Sequence, residues 1–233
     1  HWWFRARNEI IKYIIKNFVK IKPDSGIKIL DMGCGSGANL EMLSQFGKVS
    51  AIEPDEEICN YAAKEHPGCN VLKGALPDDN PFKDKKFDLI VSLDVLEHIE
   101  DDEKALCELK KMLDKNGKII ISVPAFQCLF NQSDVFAHHY RRYNKKTLKT
   151  VLENAGFSNF KMYYFNTFLF LPVAVLKLCS KNSKTVSENA DKCGRGFFNE
   201  FLFCLMSFER FFLKINPVGI SICAVIQTKD ENE

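Results

Sequence analysis

The segment 27–37 places the strongest constraint on the fold, because a short apolar strand runs directly into a glycine-rich turn. The strand is predicted over 27–32, and the turn carries Gly33, Gly35 and Gly37 before a helix predicted to begin at Ala38. Glycines let the backbone approach a ligand closely, and the N-terminus of the following helix offers unpaired N–H groups. The sequence therefore predicts a strand, turn and helix that together bind a cofactor.

Further strands and helices alternate along the chain. We predict the other strands at 49–53, 70–73, 87–93, 118–123, 157–165 and 219–229. We predict helices between them at 38–46, 55–65, 101–113 and 145–155, after an amphipathic helix at 8–20. This alternation is typical of a doubly wound α/β fold, in which a mostly parallel sheet has helices on both faces.

The composition narrows the classes of function. The 32 lysines and arginines nearly balance the 30 aspartates and glutamates, so the charge does not favour a nucleic-acid partner. The nine cysteines are scattered without a Cys-x-x-Cys pair, which indicates reduced thiols and neither a disulfide framework nor a zinc site. The start of the sequence lacks the long apolar stretch of a signal peptide. We expect 1–233 to form a single cytoplasmic domain, as a monomer or homodimer.

Two classes of cofactor fit the glycine turn. The turn and Glu53, about 20 residues further on, also match a dinucleotide-binding protein. Asp31 distinguishes the two, because a carboxylate beside the turn would repel a pyrophosphate. The same carboxylate would suit a cofactor that has no phosphates but carries an amino group and a sulfonium, as S-adenosylmethionine does. Glu53 can accept hydrogen bonds from the ribose of either cofactor, so it does not discriminate.

Several motifs together resemble the class I, Rossmann-like, S-adenosylmethionine-dependent methyltransferases, over about 27–165 and again at 219–229. The matching pieces are Asp31-Met32-Gly33-Cys34-Gly35-Ser36-Gly37, Glu53-Pro54-Asp55, the run from Phe87 to His98, and Leu113-Asp114-Lys115-Asn116-Gly117-Lys118. The resemblance implies a seven-stranded sheet whose last strand is antiparallel and lies between the fifth and sixth. It also implies that the cofactor is S-adenosylmethionine and the product S-adenosylhomocysteine.

The resemblance also implies which residues contact the cofactor. Those expected around its methionine and ribose part are Asp31, Gly33, Cys34, Gly35, Glu53 and Pro54. Those expected beside the adenine or across the pocket are Ala75, Leu76, Asp94, Val95 and His98. This chain has Gly74-Ala75 where many relatives carry an aspartate that binds the adenine amino group.

The N-terminal segment 1–20 is rich in aromatic and basic residues at its start, where His1-Trp2-Trp3-Phe4-Arg5-Ala6-Arg7 stands. It resembles the start of a methyltransferase subgroup that also shows the Arg141-Arg142-Tyr143 loop and is often linked to surface-glycan or lipid-linked pathways. In that subgroup the segment covers the cofactor, which implies contacts from aromatics such as Trp3 and from Arg5 or Arg7. The alternative is a helix that only packs its aromatics on the sheet.

Catalytic candidates are few, because methyl transfer depends largely on proximity and orientation. A base is needed only when the attacking atom of the acceptor carries a proton. We predict His98 as that base, and His138 and Arg141 as residues of a loop over the same mouth, where arginines can bind an anionic acceptor. Adjacent histidines lack the spacing of metal ligands, so we predict no metal site.

The segment 166–217 is an apolar, helical insertion before the last strand. Its apolar stretches are shorter than the roughly 20 residues that span a bilayer. The insertion either roofs the active site or contacts a membrane surface or a lipid-linked acceptor.

The sequence thus favours a methyltransferase that acts on an oxygen of a small-molecule, sugar or lipid-linked acceptor, in the cytoplasm or on the cytoplasmic face of a membrane. The alternatives are an NAD-dependent oxidoreductase, which Asp31 disfavours, and a non-catalytic cofactor-binding or membrane-associated module.

Overall fold

A computed structural model describes residues 2–172, Val175 and 197–228. Its strands form one seven-stranded sheet in the order β3-β2-β1-β4-β5-β7-β6. The strands are β1 (Ile27–Met32), β2 (Gly47–Glu53), β3 (Asn70–Lys73), β4 (Phe87–Leu93), β5 (Leu113–Pro124), β6 (Phe160–Phe165) and β7 (Ser221–Gln227). Strands β1 to β5 pair in parallel, whereas β7 is antiparallel to both β5 and β6. The predicted doubly wound sheet, with its antiparallel last strand, is confirmed.

The described helices flank this sheet. They are α1 (Trp2–Ile14), α2 (Leu40–Ser44), α3 (Glu56–Glu65), α4 (Asp102–Lys111), α5 (Gln132–Phe136), α6 (Lys145–Asn154) and α7 (Phe197–Phe208). Asp55 and Asp101 cap α3 and α4, since each side chain accepts a hydrogen bond from a backbone N–H of the first turn. These caps begin each helix directly after the loop that leaves the preceding strand.

The sheet separates two apolar cores. Alternate residues of β5 show this, because Ile119 and Ile121 pack on one face and Ile120 packs on the other. The first core includes Leu106, Leu109, Leu148 and Leu152 of α4 and α6. The second includes Ile10, Ile11, Ile14, Leu40 and Leu43 of α1 and α2. A strand buried on both faces reads as a continuous apolar run, which is why 118–123 was recognisable as a strand from sequence.

The N-terminal helix differs from the prediction, since it starts at Trp2 and changes to a π-helical turn over Ile15–Val19 instead of continuing regularly. Lys20 ends the turn in the left-handed conformation, and its backbone N–H donates to the Ile15 carbonyl. The helix begins early because its first turns pack on α7. There Arg5 forms a bidentate ion pair with Glu200 and lies over the Phe203 ring, 4.2 Å from its centroid.

The two ends of the insertion meet beside the last strand. The Thr167 backbone N–H donates to both oxygens of Glu209 at 2.8 and 3.0 Å, and the Asn216 side chain donates to the same carboxylate at 2.9 Å. Residues 173–174 and 176–196 lie outside the described part, so the predicted helical insertion is described only at its two ends. No helix within the described ranges is both long and apolar enough to cross a bilayer.

We predict that Tyr143→Phe lowers the free energy of unfolding by about 1–3 kcal/mol, because the buried Tyr143 hydroxyl donates to Asp102 at 2.7 Å. Urea denaturation measures the change. The matched control is Tyr140→Phe, at an exposed tyrosine of the same loop, which should change the free energy by less than about 0.5 kcal/mol. Equal effects of the two substitutions would contradict the assigned hydrogen bond.

Candidate functional site

The glycine turn lies where β1 ends, between the ends of β2 and β4. The backbone N–H groups of Gly33 and Cys34 both donate to the Ile52 carbonyl, which holds the turn against β2. Gly33 has a φ of 71°, and a Cβ at this position would lie 2.5 Å from Val95. Only glycine therefore fits between the turn and the loop that follows β4.

Glu53 holds the other side of the turn from the end of β2. Its carboxylate accepts hydrogen bonds from the backbone N–H of Gly35 at 2.9 Å and of Asp55 at 3.1 Å. Two such bonds fix the carboxylate while leaving lone pairs on both oxygens. The Glu53 carboxylate is therefore held in one orientation before any ligand binds, and its remaining lone pairs can accept hydrogen bonds from a diol.

Asp31 is the most unusual carboxylate of the site. It is 1% exposed, and neither of its oxygens has a hydrogen-bond partner among the described residues. Burial raises its pKa to about 7, although the positive charge of Arg7 and the amide of Asn39 act in the opposite direction. Burying a carboxylate without a hydrogen-bond partner destabilises the fold. A bound cationic ligand would offset this loss of stability.

Arg7 reaches this end of the sheet from α1. Its guanidinium donates to Asp94 at 2.7 Å, and the second oxygen of Asp94 accepts from Ser122 at 2.9 Å. The Nε atom of Arg7 is buried and has no partner in the described part of the chain. Asp94 has a φ of 57°, a conformation that non-glycine residues rarely adopt and that is often found at functional sites. Arg7 and Asp31 thus place opposite charges close together.

A cavity of about 720 Å³ lies next to the glycine turn. Its walls are mostly apolar, and the residues that line it include Gly33, Ile52, Pro54, Ala75, Leu76, Val95 and His98. At its rim, Lys104 pairs with Asp78 at 2.9 Å. A largely apolar cavity with a few polar groups at one end suits a nucleoside whose flat base lies in the apolar part.

The structure places the remaining predicted cofactor residues in different surroundings. Cys34 is buried in the turn, where burial and the nearby Asp31 raise the pKa of its thiol to about 12. This thiol therefore stays protonated and is no nucleophile. Trp3 packs edge-on against Trp2, with ring centroids 5.7 Å apart, near the junction of α1 and α7. The predicted contact of Trp3 with the cofactor stays a prediction.

His98 lies in a short turn, Leu96–His98, that follows β4, and it lines the cavity. Burial, and secondarily the neighbouring His139, lower the pKa of His98, so its imidazole is neutral at physiological pH. The ring of His139 stands edge-on to that of His98, with centroids 4.5 Å apart. Glu97 is 1% exposed next to them, and neither of its oxygens has a partner in the described ranges.

The loop before α6 supports His139. Nδ1 of His139 lies 3.0 Å from Asp134, and Arg142 donates to the same oxygen of Asp134 through Nε at 2.9 Å and Nη2 at 2.6 Å. These hydrogen bonds hold the pKa of Asp134 well below its usual range, even though burial acts in the opposite direction. His139 belongs to the predicted loop from His138 to Tyr143, but its adjacent histidines lack the spacing of metal ligands and no local pattern points to Asp134, because only the folded loop brings the two residues to Glu97.

The other two predicted catalytic residues are placed differently. His138 is exposed. Arg141 forms an ion pair with Asp102 at 3.0 Å and donates to the Glu100 carbonyl at 2.6 Å. Neither residue lines the cavity. The catalytic roles of His138, Arg141 and His98 all stay predictions, and of the three only His98 is among the residues that line the cavity.

The free thiols carry no crosslink. All seven cysteines within the described residues are unpaired, and Cys179 and Cys193 fall outside them. The reduced state of the thiols stays a prediction.

Comparison with known proteins places the chain in a family. A model of a methyltransferase domain matches residues 2–161, which is more than half of the chain. A ubiquinone biosynthesis O-methyltransferase of Pelagibacter ubique is 33% identical over 124 residues, which are 48% of this chain and 51% of that enzyme. An uncharacterised protein of Methanocaldococcus jannaschii is 30% identical over 165 residues, covering 70% of this chain and 67% of the relative. The match thus spans about half to two thirds of the length of these relatives.

Solved structures share the fold. A methyltransferase of Thermotoga maritima superposes with a TM-score of 0.61 at 20% identity, covering 98% of this chain and 93% of that one. Phosphoethanolamine N-methyltransferase 2 of Haemonchus contortus, in complex with S-adenosylmethionine, superposes with a TM-score of 0.60 at 16% identity. It covers 93% of this chain and 51% of its own. On the family match, the fold and the geometry of the glycine turn, the chain belongs to the methyltransferase domain family, and its cofactor is S-adenosylmethionine.

Proposed function

We propose that the chain transfers a methyl group from S-adenosylmethionine to a hydroxyl oxygen of a small-molecule, sugar or lipid-linked acceptor. The observation that carries the proposal is the buried carboxylate of Asp31, which has no hydrogen-bond partner within the described residues and directly precedes Met32 and Gly33 of the cavity wall. A dinucleotide would bring its pyrophosphate to this turn, next to the carboxylate. A cationic amino group is the partner that this carboxylate lacks.

The residues present fit the cofactor at both of its ends. Asp31 would accept hydrogen bonds from the amino group of the methionine part, and the unpartnered Nε of Arg7 would donate to its carboxylate. Glu53 would accept from the ribose hydroxyls, and Ala75 and Leu76 would flank the adenine in the cavity. The bound cofactor supplies a methyl group on a positively charged sulfur. Every other part of the reaction falls to the acceptor and to the side chains at the mouth.

His98 is the side chain best placed to act on the acceptor. It lines the cavity, and its lowered pKa leaves an unprotonated ring nitrogen that can take the proton from a hydroxyl. His138 and Arg141 belong to the same proposal as residues of the loop that contacts the acceptor. Two relatives support an oxygen acceptor, since the enzymes of Pelagibacter ubique and Bartonella quintana are both named ubiquinone biosynthesis O-methyltransferase.

An apolar surface at the ends of the insertion supports a lipid-linked acceptor or a membrane contact. Leu171 and Ile215 are each 72% exposed, and Phe208 and Phe211 are each more than half exposed. Exposed apolar groups at this density are common where a protein meets a lipid or a partner. Lys214 lies beside them, over the Phe18 ring, and would favour an anionic surface.

We predict that Asp31→Asn weakens the binding of S-adenosylhomocysteine by about 10- to 100-fold, because a charged hydrogen-bond partner of the amino group is lost. Calorimetry measures the affinity. In the wild type the affinity should also fall as the pH is lowered through about 7, since the pKa of Asp31 is raised to about 7 and only the carboxylate binds an ammonium. Asp84→Asn, at an exposed aspartate, is the matched control and should leave the affinity unchanged. Unchanged affinity in Asp31→Asn would remove Asp31 from the site.

We predict that His98→Asn lowers kcat by about 10²- to 10⁴-fold, while the affinity for S-adenosylhomocysteine changes by less than about threefold. Transfer of labelled methyl is measured with three acceptor probes: a catechol, a free hexose and a polyprenyl-phosphate-linked sugar. Asp84→Asn is the control, because Asp84 is exposed and does not line the cavity. Cofactor binding without transfer to any probe in the wild type would favour a non-catalytic module. Full activity of His98→Asn would exclude His98 as the base.

We predict that the wild type sediments with vesicles of phosphatidylcholine and phosphatidylglycerol at low salt. Leu171→Ser combined with Ile215→Ser should reduce the bound fraction at least about fivefold, because each exposed apolar side chain contributes on the order of 1 kcal/mol at an interface. Ile58→Ser is the matched control, since Ile58 is an exposed apolar residue of α3. Absence of wild-type binding at low salt would contradict the membrane contact.

A further inference from the structure

Three potential metal ligands meet beside the cavity. Glu97 and His98 come from the turn after β4, and His139 comes from the distant loop before α6. A carboxylate oxygen of Glu97 and one ring nitrogen from each histidine all lie within 4.8 Å of one another. Ligands of one ion lie about 3–4 Å apart, since each bond is close to 2.1 Å. A small movement of these side chains would bring all three donors onto a common centre.

The environment of Glu97 indicates that this cluster of three side chains is not only a packing contact. The side chain is 1% exposed, and neither carboxylate oxygen has a partner among the described residues. Burial, and secondarily the charge of Asp94, raise the pKa of Glu97 well above its usual value. A carboxyl group kept buried without a hydrogen bond destabilises the fold unless something else binds it. A cation held together with the two imidazoles would satisfy both oxygens.

His139 is supported as metal-ligating histidines usually are. Nδ1 of His139 lies 3.0 Å from Asp134, and that carboxylate is fixed by two hydrogen bonds from Arg142. A carboxylate on one ring nitrogen fixes the ring and leaves the other nitrogen as a donor to the metal. The contact that would orient His139 as a ligand is therefore built into this loop, and the edge-on contact of its ring with His98, 4.5 Å between centroids, holds the two imidazoles together.

We propose that Glu97, His98 and His139 bind one divalent first-row transition metal ion. Two imidazoles and one carboxylate form a ligand set that suits manganese, iron or zinc better than magnesium or calcium. Three protein ligands also leave coordination positions open, as in catalytic sites. Because His98 lines the cavity, these open positions would lie beside it.

The proposed metal site goes beyond the proposed function, because metal binding can be measured in the absence of cofactor and acceptor. A bound ion would occupy the free nitrogen of His98, which could then not act as the base. The ion would instead lower the pKa of an acceptor hydroxyl bound to it, and the hydroxyl proton would pass to solvent water. Metal binding without methyl transfer would therefore leave this inference intact and contradict the function. Methyl transfer by a protein that binds no metal would do the reverse.

The experiment titrates Mn²⁺ into the metal-stripped full chain and follows the free ion by electron paramagnetic resonance. Mn²⁺ is chosen because thiolates prefer softer metals, so the exposed Cys128 and Cys204 do not compete. We expect one ion per chain. Glu97→Gln and His139→Asn should abolish binding, and Asp134→Asn should weaken it about 10- to 100-fold, as expected for a residue that orients a ligand.

The matched control is His138→Asn, which removes an exposed neighbouring histidine and keeps the backbone carbonyl. It should bind Mn²⁺ as the wild type does, and the affinity of every variant for S-adenosylhomocysteine reports whether it is folded. If the ligand variants do not fold, the location of the bound ion is determined in the wild type, from the amide resonances that Mn²⁺ broadens. Broadening centred on residues 97, 98 and 139 supports the site. Broadening centred elsewhere, no bound ion in the wild type, or unchanged affinity in folded Glu97→Gln and His139→Asn would overturn it.

Discussion

The buried carboxylate of Asp31 is the group on which the site depends. It stands at the end of β1, where the sheet excludes water and where the described residues offer its oxygens no hydrogen bond. Arg7 brings a positive charge to the same place, but its guanidinium donates its hydrogen bonds to Asp94 and Asn39. Burial therefore raises the pKa of this carboxyl group to about 7, the nearby charge of Arg7 offsets the shift only in part, and a bound cationic group would stabilise the carboxylate further. This cost is the expected signature of a site shaped for a ligand and not for stability.

The helices on the two faces of the sheet position side chains at the carboxyl ends of its parallel strands. The N-terminal helix packs its isoleucines into one core and thereby aims Arg7 at the end of β4. It is tied at its start to α7 through Arg5 and Glu200. A change in how the insertion packs would therefore move the residue that lies against Asp94. On the other face, Tyr143 and Asp102 anchor the loop that carries His139 and Arg142. Arg7 and the loop that carries His139 are thus positioned by separate cores that share the sheet.

The fold and the cofactor turn were accessible from sequence for a physical reason. Strands buried on both faces, such as β4 and β5, are continuous apolar runs, and Gly33 is required where a Cβ would meet Val95. Arg7 was accessible only through a resemblance, since no local pattern shows that a helix will reach the end of a strand 87 residues away. The cluster of Glu97, His98 and His139 was not accessible, because its donors come from loops whose approach depends on Asp134 and Arg142. Contacts of this kind are set by tertiary packing, so the hydrophobic periodicity of the sequence does not predict them.

The central claim is that the turn after β1 binds a phosphate-free, cationic cofactor. Calorimetric titration of the wild-type chain with S-adenosylhomocysteine and, in parallel, with NAD tests it most directly, because both ligands carry an adenosine and differ in what lies next to Asp31. The account predicts saturable binding of S-adenosylhomocysteine at one site per chain and no heat with NAD. Saturable binding of NAD with no response to S-adenosylhomocysteine would contradict it.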